Sequence, residues 1–184
     1  MISSKEILTK PRTGAEVQNA TFSHPPIYLY SELDKMAAKR RSVDVLRKMM
    51  KRNKDSIILV QDPKNMHSGH WTSLSFIPEK KKAYFFSSYG GKPDVEKNEW
   101  IPNDALEQSN QAINVINDGL KYLAKHGWEV HYSQYPYQKA GDNTATCGIW
   151  CTAFMNSGLN PDEFHELVKY GGYTPEFFYQ LYFV

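Results

Sequence analysis

Apolar positions along this chain recur in two rhythms. From Ser31 onward, Leu33, Met36, Val43, Leu46, Met49 and Met50 return at roughly helical spacing and basic residues fill the other face. This predicts an amphipathic helix that Ser31 opens, with Asp34 three residues on in a capping-box-like arrangement. Residues 56–61 are apolar on both faces, as a central strand requires, residues 71–77 alternate, and residues 83–86 are strand-like. The polar turn Pro78-Glu79-Lys80-Lys81-Lys82 joins the last two into a hairpin, so the sheet is at least partly antiparallel. Pro102-Asn103-Asp104 caps a second helix carried by Leu106, Ile113, Ile116, Leu120 and Leu123 and stopped by Gly127. Trp128, Val130 and Tyr132 alternate as another strand. A helix around Cys147 ends at Asn156-Ser157-Gly158, a last one begins after Asn160-Pro161, and Phe177, Phe178, Tyr179, Tyr182 and Phe183 form an aromatic tail. The first 25 residues, with Pro11, Gly14 and Pro25-Pro26, read as an extended arm. With no internal repeat, this order of elements is an α+β layout with a mixed sheet flanked by helices.

With 184 residues, 41% of them hydrophobic, residues 1–184 are expected to form one domain with its own core. No apolar run is long enough to cross a bilayer and the N-terminus carries no signal-peptide pattern, so an intracellular, reducing setting, no membrane and a monomer are expected. The two cysteines lie four apart, which excludes a disulfide framework, and no cluster of histidines surrounds them to complete a zinc site. No cofactor is expected. Formal net charge is +2, but between Lys35 and Lys54 nine basic residues face Asp44 alone, leaving +8 in that segment and about −6 elsewhere. A solvated helix face and a polyanion-binding surface both fit such a run.

The chemistry concentrates around Cys147. The residue falls in the first turns of its helix, where Asp142, Asn143 and Thr144 are candidate caps and where free amides and the helix dipole favour thiolate. Gly148 beside it would let a substrate carbonyl approach the backbone. Cys151, one turn deeper among Trp150, Ala153 and Phe154, reads as a small core hydrophobe, so Cys147 is the candidate nucleophile. Two core cysteines are the plain alternative. Among six histidines, His70 at the head of a strand, after Gly69 and before Trp71, is the candidate base and His67 the runner-up. Gln138, nine residues before Cys147, could offer an amide N–H to an oxyanion or be an ordinary loop glutamine.

His70-Trp71 opening a strand, Ala83-Tyr84-Phe85-Phe86-Ser87-Ser88-Tyr89-Gly90 closing the hairpin, the loop glutamine, and Thr146-Cys147-Gly148-Ile149-Trp150-Cys151 together resemble the adenain and SUMO-protease group of cysteine peptidases. The resemblance covers about residues 56–157. It implies a papain-like fold permuted so that histidine precedes cysteine. It also implies an endopeptidase in which His70 deprotonates Cys147 while the Cys147 amide and Gln138 hold the oxyanion. It further implies a polypeptide substrate, cut after small residues such as Gly-Gly or Gly-X-Gly. The short chain is most similar to viral capsid-maturation members, implying capsid precursors as substrate, a virion or assembly site as location, and DNA as a partner through Lys35 to Lys54. Where the family places Asp, Glu or Asn at the end of the hairpin's second strand, this chain has Ser87. The third role therefore falls to Ser87 as orienter, to a carboxylate from elsewhere with Asp94 the nearest, or to none, with activity reduced. A protease for ubiquitin-like modifiers and a non-catalytic nucleic-acid or scaffold-binding relative are the alternatives.

Overall fold

The computed structural model describes residues 2–139 and 144–184. Five strands, β1 (Ile27–Leu29), β2 (Asp55–Asp62), β3 (Asn65–Ile77), β4 (Lys82–Ser87) and β5 (Glu129–Tyr132), form one sheet in sequence order. β1 and β2 run parallel, β2–β3 and β3–β4 antiparallel, and β4–β5 parallel, so the sheet is mixed. Strand 56–61 takes the interior place its two-sided apolarity demands: Ile57 and Leu59 enter one core, Ile58 the opposite one.

Helices cover both faces. On one lie α3 (Tyr30–Ala37), α4 (Ser42–Arg52) and α7 (Val115–Lys125), packed through Leu33, Leu46, Met49, Ile116 and Leu120 onto Ile58, Leu74 and Phe85. On the other lies α8 (Cys147–Ser157), whose Ile149, Trp150, Cys151, Ala153 and Phe154 are all buried. A helix apolar all round belongs in an interior. α8 gets one from the sheet beneath, with Phe86 stacked on Phe154 at 4.6 Å between ring centroids, and from α9 (Pro161–Gly171) and α10 (Pro175–Tyr182) beside it. Each such aromatic contributes about 1.5–3 kcal/mol through burial.

Three sequence expectations change. The N-terminal 25 residues are not an extended arm: they form α1 (Ser4–Thr9) and α2 (Gly14–Ala20), capped by Ser3 and by a Thr13–Glu16 capping box. These two short helices hide their signal because each buries one or two apolar residues only, Ile7 in α1 and Val17 with Ala20 in α2. The basic helix is two helices, and Leu29, not Ser31, precedes the first: the Glu32 carboxylate accepts the Leu29 N–H at 3.3 Å, while the Asp34 carboxylate accepts from Ile113 N–H at 2.6 Å. The second predicted helix divides as well, into α6 (Asn103–Gln108) and α7, preceded by α5 (Val95–Trp100), which the periodicity does not reveal.

α1 and α2 brace α8. Leu8 C=O accepts the Ala145 N–H at 2.7 Å, and a Cβ placed on Gly148 would stand 2.8 Å from Val17 Cγ2, 3.2 Å from Arg12 Cβ and 3.3 Å from Trp71 Cδ1. Gly148 is therefore hemmed in by Val17, Arg12 and Trp71, which leave little room for a side chain there. Gly148→Ala is expected to destabilise the fold by about 1–3 kcal/mol through overpacking, read as a lowered midpoint in urea denaturation; an unchanged midpoint would show that the bracing is slack.

Candidate active site

His70 is not at the head of its strand. β3 begins at Asn65, and the ladder with β2 slips between Gln61 and Asp62: Gln61 pairs with Gly69 but Asp62 with Asn65, so Met66, His67 and Ser68 loop out. Gly69 makes this possible, because its φ is 155° and a Cβ there would lie 2.0 Å from the Val60 carbonyl. β4 ends at Ser87 opposite Thr72, leaving His70 beyond the last β3–β4 pair, on the same face as Thr72. Its side chain is 10% exposed. His67, the runner-up, is exposed in the looped-out segment.

The imidazole Nε2 lies 3.0 Å from Ser87 Oγ and 3.2 Å from Glu96 Oε2, and Ser87 Oγ also donates to Glu96 Oε1. The expected contact between His70 and Ser87 is present, but Ser87 is a bridge rather than a lone orienter. The carboxylate is Glu96 on α5, not Asp94: Asp94 turns to the other side, where it accepts from Tyr30 Oη–H at 2.7 Å and Asn117 N–H at 2.8 Å. Sequence spacing pointed to the right loop and the wrong acid, because nothing in a six-residue helix signals which of its residues faces back toward β3. Tyr89 and Trp100 close over the imidazole, their centroids 4.6 and 6.1 Å from it.

Cys147 is the first residue of α8, 8% exposed, with its sulfur near the N–H groups of Trp71, Gly148 and Cys147 itself. Burial nevertheless pushes the thiol up, against those amides, with the Glu96 charge adding to the rise. The expectation of a resting thiolate does not hold: desolvation outweighs the helix terminus. Asp142 and Asn143, two of the candidate caps, lie outside the described residues; Thr144 caps nothing and instead accepts the Gln138 Nε2–H through its carbonyl at 2.9 Å. Cys151 is fully buried, its thiol donates to Trp71 C=O at 3.3 Å and its pKa is raised well above the ordinary value by burial, so it is structural.

Cys147, His70, Glu96 and Gln138 all line one cleft of about 1100 Å³, with Trp71 and Tyr89. Gln138 is held by backbone N–H donation to Ser88 C=O at 3.0 Å, and its Oε1 accepts from Ser88 Oγ at 3.2 Å and Thr146 Oγ1 at 3.4 Å. Its second Nε2–H reaches Tyr89 Oη at 3.2 Å. Nε2 of His70 is occupied, and among the described residues no hydrogen bond engages Nδ1, the nitrogen left to take a proton from the cleft. Among the described residues no group of three or more metal-ligating side chains is present.

Burial pushes Glu96 up to about 7 and His70 down to about 3. Their contact at 3.2 Å makes them titrate as a pair: burial resists a lone charge on either, whereas imidazolium formed on His70 is stabilised by ionised Glu96. A carboxyl raised in the fold favours the folded state below its unfolded pKa of 4.5, and that advantage is lost as pH rises through about 7. Glu96→Gln, which never ionises, is therefore expected to raise stability relative to the parent by about 1–2 kcal/mol more at pH 8 than at pH 5. Denaturation curves at the two pH values measure it; equal effects at both would place Glu96 in water rather than in this contact.

No protein-family model matches the chain. It is similar to the uncharacterised protein V9 of Sputnik virophage, 35% identical over 114 residues, which cover 62% of this chain and 60% of that protein.

Proposed function

We propose that this chain is a cysteine endopeptidase with a permuted papain-like fold of the adenain type. The observation that carries the reading is the pairing across one cleft of a helix-initial thiol, Cys147, with an imidazole whose far nitrogen is fixed by Ser87 and Glu96. Free Nδ1 faces the task of a general base, and a held Nε2 fixes tautomer and ring orientation. In this reading the Cys147 thiol and the His70 imidazole are both neutral at rest, with the imidazole proton on Nε2. As the thiol attacks a peptide carbonyl, His70 takes its proton and ionised Glu96 stabilises the imidazolium. The Cys147 N–H receives the developing oxyanion, joined by Gln138 Nε2–H once its longer bond to Tyr89 opens. His70 returns the proton to the leaving amine, and water releases the acyl group from Cys147.

Cleavage after Gly-Gly or Gly-X-Gly and capsid precursors as the substrate class follow from the resemblance, and similarity to a virophage protein supports a viral setting. A protein probe ending in the ubiquitin-like Gly-Gly tail separates this from a modifier protease: here, cleavage of capsid-precursor peptides is expected to exceed it. With an internally quenched peptide carrying Gly-Gly at the scissile bond, His70→Ala is expected to abolish turnover and Glu96→Gln to lower kcat about 10- to 100-fold with little change in KM. Turnover that survives Cys147→Ala would end the proposal.

Double-stranded DNA is the proposed partner of the opposite face. All nine basic residues from Lys35 to Lys54 are exposed, on α3, α4 and the turns flanking them, and the two helices pack against the sheet face away from α8. Arg41 and Arg47 are partly neutralised by Asp44, and Lys54 by Glu79; these contacts are exposed and weak. Binding to arbitrary duplex DNA is expected to fall about 10- to 1000-fold between 50 and 200 mM salt and to weaken in Lys48→Ala/Lys51→Ala/Arg52→Ala. No mobility shift at 50 mM salt would remove this partner. Among the described residues no helix is long and apolar enough to cross a membrane.

A further inference from the structure

Glu96 reaches His70 from a helix of only six residues, and a short helix does not hold a buried carboxylate in place by itself. The neighbouring residues on α5 supply the hold. Lys97 is 1% exposed, a rare state for lysine, and makes no ion pair within 4 Å among the described residues. Its ammonium donates to Asn98 Oδ1 at 2.8 Å and Asn114 Oδ1 at 3.3 Å, 5.1 Å from the Tyr30 ring centroid. Asp94, the residue before α5, has φ 67° and is 8% exposed. Its two oxygens accept from Tyr30 Oη–H and Asn117 N–H. Tyr30 Oη in turn accepts the Val115 N–H at 3.0 Å. The start of α5 is thus bound on one side to α3 and on the other to the first turn of α7, and Glu96 lies between the two anchor points in sequence.

We propose that Lys97 and Asp94 are positioning residues for the reaction, acting only through Glu96: they bind α5 to the α3–α7 layer so that the carboxylate meets Ser87 and His70. Such a cluster explains why a lysine is kept in the interior at the cost of desolvating it. It also explains how the chain works with serine at the end of β4: the acid is delivered from a second element, and that element carries its own anchorage. This rests on the peptidase reading.

The test is inactivation by a peptidyl vinyl sulfone ending in Gly-Gly, measured as kinact and KI, with the adduct located by mass spectrometry. Lys97→Met keeps the buried stem and removes the anchor. Its kinact is expected to fall about 10-fold with KI unchanged, since displacement of about 1 Å at a reacting group costs up to about 100-fold. The double variant Lys97→Met/Glu96→Gln is expected to be no slower than Glu96→Gln alone, because a residue acting through Glu96 has nothing left to act on. Should Lys97→Met not fold, Asn114→Ala is read in the same cycle. Unaltered kinact in Lys97→Met, or losses that multiply in the double variant, would overturn the proposal while leaving the peptidase reading intact. A wild-type protein that the probe does not modify at Cys147 would overturn both.

Discussion

The docking of the first turn of α8 onto β3 at Trp71 is the contact on which everything else depends. The Trp71 backbone serves both cysteines of that helix, its N–H lying against the Cys147 sulfur and its C=O accepting from the Cys151 thiol. Its indole Nε1–H donates to the Arg12 carbonyl at 2.9 Å, which ties the N-terminal helices into the same junction. Because His70 is the next residue back on the strand, fixing α8 to Trp71 also brings the thiol and the imidazole to one cleft. Neither the helix nor the strand achieves this alone: α8 needs burial on all sides, and the sheet needs a cover for Ile57, Leu59 and Phe86.

That junction is buried, and its burial sets the protonation of the groups it holds. Desolvation raises the Cys147 thiol despite nearby amides, lowers His70 and raises Glu96. In the proposed reaction the thiol and the imidazole are neutral at rest, and the imidazolium that forms when His70 takes the proton is stabilised by ionised Glu96, which it faces. The basic helices lie in the other layer, across the sheet, so a polyanion bound there would leave the cleft clear.

Much of this was legible in the chain. Strand 56–61, the hairpin and the apolar helix at Cys147 carry long or two-sided hydrophobic patterns that few alternatives satisfy, and the spacing of His70 and Ser87 across a hairpin fixes their proximity once the register is set. What was not legible depends on contacts between distant, short segments. α1 and α2 are too brief for periodicity to separate from a coil, and Gly148 is tight because of Val17 and Arg12, far away in sequence. Glu96 is one of several acids between residues 94 and 104, and only tertiary anchoring through Lys97 and Asp94 selects it. The thiol's protonation failed for the same reason: helix position is local and can be read, whereas burial cannot.

The central claim, that Cys147 and His70 act together on an acyl group, is tested most directly by the intact mass of the protein quenched in acid during reaction with an activated Gly-Gly thioester or ester. The account expects one acyl group per chain, mapped to Cys147, absent from Cys147→Ala and lost in His70→Ala. Acylation that is absent from the wild-type protein, or that falls equally on Cys151 and is indifferent to His70, would contradict it.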